Sequence, residues 1–317
     1  MGKYIVKRLI LLIPTVFLVC VITFILMRII PGTAVDQIVS QYSLAGINVS
    51  REEVEVMLGM DKPATTQFFI WFGDILRGDL GDSLFQSETV GQIIGKKLPI
   101  TLELSIMILL LSNIISIPLG LLCAARQDGP TDNIIRTIAV ILMAVPVFWL
   151  ATLVLVYPAV WWKYAPPSNY YPFFQKPIQN IQMFLIPAVL GAVTQAGIQI
   201  RLVRTMTLEN LRQDYIRTAW AKGASESWAL THHALRNAMI PVVTSIGGAV
   251  AGLIGGSVVL ENMFNIPGIG ATMVNALSNR DYPLVQGCVL IFSVVVMVVN
   301  LLVDVGYKWI DPRVEIE

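Results

Sequence analysis

Six long apolar runs punctuate the chain: Leu9–Met27, Thr101–Ala125, Thr137–Trp162, Ile181–Ile200, Ala238–Leu260 and Tyr282–Val303. A helix needs roughly 20 apolar residues to cross the hydrocarbon core of a bilayer. Backbone groups in lipid must be paired within their own segment. The pattern therefore predicts an all-α, polytopic membrane protein with six transmembrane helices. Glu103 is the one charge inside these runs. Lys3, Lys7 and Arg8 precede the first run, as basic residues precede a cleavable signal peptide. That run is 19 residues without interruption, longer than a signal-peptide core, and "LMRIIPGTAV" after it offers no clear small-x-small cleavage site. It is expected to stay as the first span. Pro118, Pro146, Pro158 and Pro187 fall inside the runs and predict kinks.

The polar residues between the runs set the expected orientation, because Lys and Arg gather on the cytoplasmic side. With the N-terminus inside, that side collects Lys3, Lys7, Arg8, Arg126, Arg136, Arg201, Arg204, Arg212, Arg217, Lys222, Arg236, Lys308 and Arg313. The short outer loops hold Lys163, Lys176 and Arg280, while Lys96, Lys97 and Arg28 run against the trend. Both termini are expected in the cytoplasm.

Residues 1–30 form the expected first helix, 31–99 an extracytoplasmic insertion and 100–317 a five-helix core. In the insertion, "SREEVEVMLGMDKP" predicts a short helix. Ser50 caps it, Glu52 and Glu53 suit its first turn, and Gly59 lies near its end. "TTQFFIWFGDIL" predicts a second, aromatic helix lying at the membrane interface. The stretch Lys163–Asn180, rich in Pro, Tyr and Phe, suits an ordered interfacial loop.

Composition narrows the function. Of 317 residues 55% are hydrophobic and 14% charged, too few charges for a soluble surface. A net charge of +1 argues against nucleic acid as a bulk partner. Cys20, Cys123 and Cys288 lie inside apolar runs without metal-like spacing. No catalytic constellation is visible. "GQIIGKK" has three residues between its glycines where a phosphate loop has four, and ends in Lys97 where Ser or Thr would hold magnesium. His232 and His233 are adjacent, so a helix points them about 100° apart, against a shared metal site. Arg201 and Arg204 are expected to snorkel to the headgroups.

One polar segment stands out in a chain of mean hydropathy +0.69: "DYIRTAWAKGASESWALTHHALRNAMIP", Asp214 to Pro241. Leu208, Leu211, Tyr215 and Ala219 recur at helical spacing and predict one face, with Arg212, Arg217 and Lys222 pointing elsewhere. Gly223 suits a C-terminal cap in the left-handed conformation. Ser225 suits the cap of a following helix, with Glu226 in its first turn. A helix, a tight turn and a helix are expected between spans four and five. A surface helix lying on lipid, a DNA-binding helix pair and a docking knob for a cytosolic partner all fit such a pattern. Tethering between spans speaks against DNA.

The segment resembles the loop by which permeases of ATP-binding-cassette (ABC) importers present a coupling helix to the ATPase subunit. Arg217-Thr218-Ala219, Gly223 and Ile240-Pro241 occupy the places of that family's pattern. "YIVKRLILLIPTVFLVCVITFILMRIIPG", "GDLGDS", "LPITLELS", "GSVVLENMFNIPGIG", "RDYPLVQG" and "NLLVDVGYKWIDPR" extend the resemblance to the dipeptide/oligopeptide branch, and to the first of its two permeases. Trp220 departs from it, standing where a basic residue is common.

The resemblance implies a type I ABC importer permease fold and a coupling loop over about 205–237. Asp214, Tyr215, Arg217, Thr218, Ala219, Lys222, Gly223 and Ser225 would form the ATPase-coupling surface. It implies a second permease, two cytoplasmic ATPase subunits and an extracytoplasmic solute-binding protein as partners, besides lipid. The chain itself would carry no cofactor, ATP and magnesium residing on the ATPases. The chemistry agrees: uphill transport needs an energy source, and spans so poor in ionisable residues do not look like those of proton- or sodium-coupled carriers. A secondary carrier or channel is the alternative.

Two more features carry expectations. Gly248, Gly252 and Gly256 recur every fourth residue, a groove for close helix approach or for the pathway. Asn300 and Asp304 share a face of the last span and are expected as a buried polar pair.

Overall fold

The computed structural model of the chain describes residues 2–30 and 32–310, except the side chains of 2–7, 9, 251, 254, 304, 305 and 307–310. In chain order the helices are α1 (Gly2–Ile29), α2 (Ala34–Leu44), α3 (Arg51–Met57), α4 (Ala64–Leu76), α5 (Val90–Ala125), α6 (Pro130–Ala144) and α7 (Val147–Trp162). Then follow α8 (Pro177–Leu211), α9 (Asp214–Ala221), α10 (Glu226–Trp228), a π-helical turn (Ala229–Ala234), α11 (Leu235–Met263), α12 (Ile269–Asn279) and α13 (Tyr282–Ile310). The described residues add one isolated antiparallel bridge, Asp82 to Thr89. The sequence pattern missed α2 and α12, which are too short and too mixed in polarity to declare themselves.

Four helices are long and apolar enough to span: Ile10–Ile29, Val90–Ala125, Pro177–Leu211 and Tyr282–Val303. Counting two bent pairs as one span each brings the number to six. The expected third span is one of these pairs, not a continuous helix: α6 and α7 meet at 91°. Pro146 has no N–H to give the helix, and it forces Val145 into an extended conformation (φ −84°, ψ 122°). Pro158 and Pro187 stay inside α7 and α8. The fifth span bends by 58° between Glu226–Val250 and Gly255–Met263.

Hydroxyls within these helices return their protons to the preceding turn. Thr15 donates to Leu11 O at 2.9 Å, Thr23 to Val19 O at 2.8 Å and Ser293 to Val289 O at 2.9 Å. Such bonds lower the cost of a polar group where no water is present.

The chain divides into two compact units. Met1–Ile100 with Pro267–Val298 is one, and Thr101–Ile266 with Val299–Glu317 the other. In the first, α2 and α3 start on reciprocal capping boxes, Thr33 with Asp36 and Ser50 with Glu53. Phe68 on α4 packs among Phe24, Phe17 and Phe72. Asp281, 1% exposed, caps α13 and accepts from Ser83 Oγ at 2.5 Å, Leu84 N at 3.2 Å and Leu284 N at 3.3 Å. The "GDLGDS" and "RDYPLVQG" stretches are thereby one structural joint.

In the second unit α5 and α8 run parallel in close contact. A methyl group on Gly191 would lie 2.7 Å from Ile108 Cδ1, and one on Gly120 would lie 2.6 Å from Val203 Cβ. Absent side chains at these points let the backbones approach. Arg204 on α8 does not snorkel as expected. It forks onto the fully buried carboxylate of Asp132 on α6, Nε to Oδ1 at 2.8 Å and Nη2 to Oδ2 at 2.6 Å. Seventy-two positions separate the partners, so no local pattern announces the pair. A buried carboxylate captures a guanidinium more strongly than headgroups do, provided both oxygens are matched.

Candidate coupling surface and membrane cavity

The polar segment after α8 folds largely as expected, with one change of face. α8 ends at Leu211, Gln213 is extended (φ −77°, ψ 150°), and α9 starts afresh at Asp214. Leu208, Leu211, Tyr215 and Ala219 therefore do not form one continuous face. The residue that anchors α9 is Ile216, fully buried against Leu211, Ala229 and Ala234. Tyr215 is 40% exposed and works through its hydroxyl, which donates to Asn210 Oδ1 at 2.8 Å and accepts from Asn237 Nδ2 at 2.9 Å. That bridge ties the end of α8 to the start of α11.

Gly223 takes the left-handed conformation (φ +87°) that ends α9, with Gly223 N bonded to Trp220 O at 2.9 Å and Ala224 N to Ala219 O at 3.1 Å. Ser225 Oγ then accepts from Trp228 N at 3.3 Å and opens α10. Arg217 and Lys222 are exposed, Arg217 reaching Asp214 at 3.6 Å. Thr218 Oγ1 donates to Asp214 O at 3.0 Å. The eight residues read as the coupling surface thus sit on one short helix, its cap and the start of the next. The π-helical turn was not anticipated. It carries His232, stacked on Trp228 at 5.0 Å, and His233, edge-on to the same ring at 4.7 Å. Beside the loop, the α5–α6 turn, the end of α8 and Trp220 enclose an open cavity of about 750 Å³.

Gly248, Gly252 and Gly256 line a second open cavity of about 570 Å³ with Thr194, Gln195 and Ser257. A methyl group added at any of the three glycines would meet nothing within 4 Å. Gly247, one residue from the stripe, is different: its added methyl would lie 2.3 Å from Val303 Cγ1. Packing inside this chain therefore uses Gly247, and the stripe faces open space. Asn300 is exposed, not buried as expected. The Asp304 side chain lies outside the described residues.

Span-length apolar helices, a neutral cavity within the second unit and a capped helix held between two spans fit a membrane transport subunit. The chain belongs to the family described as binding-protein-dependent transport system inner membrane component, whose model matches residues 116–316, with its N-terminal companion matching 1–105. It is a multi-pass membrane permease subunit of an ABC importer. A Brucella abortus protein named as a peptide transport system permease is 37% identical over 317 residues, covering 99% of both chains. The dipeptide transport system permease protein DppB of Lactococcus lactis is 34% identical, with 100% of each covered. An amino acid ABC transporter crystallised with histidines shares the fold at a TM-score of 0.50 and 11% identity, covering 71% of this chain and 95% of that one.

Proposed function

We propose that this chain pairs with a second, homologous permease to form the pathway of an ATP-driven peptide importer, with α9 and its Gly223 cap seated in a cleft of an ATPase subunit. The observation that carries the reading is the rigid seating of α9. Ile216 below and the Tyr215 bridge beside it fix the helix to two spans, so a push on α9 becomes a movement of α8 and α11. The full-length similarity to relatives named for peptide and dipeptide transport supports the cargo.

In this reading both termini are cytoplasmic, and the 31–99 insertion meets a solute-binding protein outside. ATP and magnesium reside on two ATPase subunits, with no cofactor held by this chain. The open face of Gly248, Gly252 and Gly256 lines the pathway or meets the partner permease. Affinity purification from native membranes, followed by uptake in vesicles, tests it. ATPase subunits and a second permease should co-purify, and dipeptide uptake should require ATP. Recovery of the chain alone, with uptake that ignores ATP, would establish a secondary carrier instead.

A further inference from the structure

The first unit holds a cavity of about 260 Å³ near residue 28, in the last turn of a span that ends at Ile29. Its polar wall is assembled with care. Gln67 donates from Nε2 to Met60 O at 3.3 Å and to Lys62 O at 2.7 Å. Its Oε1 is thereby turned toward Arg28 Nη2, which donates to it. Arg28 also lies over the Phe24 ring, 3.5 Å from its centre, and donates from Nη1 to Phe24 O at 3.3 Å. No carboxylate lies within ion-pair distance of Arg28 or Lys62 among the described residues.

Asp74, on the same face of α4 as Gln67, and Gln286 complete the polar lining. Asp74 is paired only with the exposed Arg77, Oδ1 to Nη1 at 3.3 Å. Gln286 is 6% exposed, and its amide has no hydrogen-bond partner among the described residues. Its amide opens into the cavity, so both its donor and its acceptor are available to a polar occupant. The remaining wall is apolar, with Trp71 and with Ile70, itself 48% exposed.

We infer that this cavity binds the headgroup of an amine-bearing zwitterionic phospholipid. Its phosphate meets Arg28 and Lys62, its ammonium meets Asp74, and Gln286 bonds the ester or phosphate oxygens. The depth fits, because Arg28 ends one span and Gln286 lies four residues into another that begins at Tyr282. Both are placed at headgroup level, where cations and aromatic rings anchor spans. The volume fits as well, since a water occupies about 30 Å³ and a phosphate with a two-carbon amine needs the room of several. Acyl chains leave over Ile70, which is exposed at the cavity's rim. The site does not depend on the peptide cargo or on which side of the membrane it lies.

The test uses the purified complex in detergent, titrated with phosphatidylethanolamine, phosphatidylcholine and phosphatidylglycerol and read by native mass spectrometry. Phosphatidylethanolamine should be retained at least about threefold over phosphatidylglycerol, the ratio one exposed charge contact supplies. Asp74→Asn should erase that preference, and Lys62→Gln should weaken all three lipids. On the unaltered protein, a photoactivatable phosphatidylethanolamine should label the tryptic segment 52–77. Equal retention of the three lipids, labelling spread evenly over the spans, or displacement of the lipid by alanyl-alanine would each overturn the assignment. The last would point to a free zwitterion as the ligand.

Discussion

Arg204 and Asp132 form a two-toothed ion pair between α8 and α6, and the Asp132 carboxylate at its centre has no exposure to solvent. A third bond, from Asp128 N to Oδ2 at 2.9 Å, holds the α5–α6 turn to the same carboxylate. Two helices and one turn are thus pinned at the edge of the cavity beside α9. Removing one partner of such a pair strands the other. Arg204→Ala should therefore destabilise the protein by on the order of 3 kcal/mol, while Asp132→Leu combined with Arg204→Met should recover most of that loss. Denaturant midpoints in detergent check both, and a single substitution that leaves the midpoint in place would show that the pair is dispensable.

The two glycine environments of α11 predict opposite outcomes. Gly247→Ala drives a methyl into Val303 and should cost about 1–3 kcal/mol of the chain's own stability. Gly252→Ala meets open space, and alanine is the better helix former by up to about 1 kcal/mol. It should leave thermal unfolding of the isolated chain unchanged or raised. Any loss of uptake or of complex yield in Gly252→Leu would then report a contact made outside this chain.

The Gly223 cap separates shape from space. Nothing lies within 4 Å of an added Cβ there, so only the positive φ resists substitution. Asparagine tolerates that conformation and valine does not. Gly223→Asn should keep ATP-driven uptake near normal, whereas Gly223→Val should strain the turn by roughly 1–3 kcal/mol and depress uptake while membrane insertion persists. Matched expression and parallel ATPase assays make the comparison; equal uptake by the two variants would remove the turn from the coupling reading.

Asp36 gives a pH dependence outside the membrane. Hydrogen bonds from the Thr33 hydroxyl and then from the Thr33 N–H hold its carboxyl below the ordinary carboxylate value. A lowered folded pKa means that the cap contributes fully above the unfolded value, about 3.9, and is lost as pH falls through the folded one. Protection of the amides in the first turn of α2, relative to their unstructured exchange rate at each pH, should hold down to about that pH and fall below it. Thr33→Ala should shrink the step, since it leaves only the Thr33 N–H bond, and a protection factor that does not change with pH in the unaltered protein would contradict the cap.

Much of this molecule is decided locally, and that part was legible in the sequence. Span-length apolar runs, the Ser50 cap with Glu53 and the Gly223 turn with Ser225 each depend on residues within a few positions of one another. Near-neighbour hydrogen bonding and hydrophobic length suffice to specify them. The break at Pro146 lay half within reach. Its missing N–H is local, but the 91° angle is set by what packs around α6 and α7.

The tertiary structure alone decided the rest. Which helical residue anchors α9 depended on where the chain stops and restarts at Gln213, and it fell to Ile216 in place of Tyr215. Arg204 found Asp132 across 72 residues, Asp281 found Ser83 across 198, and Gly247 but not Gly252 met Val303. In lipid there is little hydrophobic drive between helices, so these specific close approaches and buried polar matches select the packing. They join positions that no window along the chain contains.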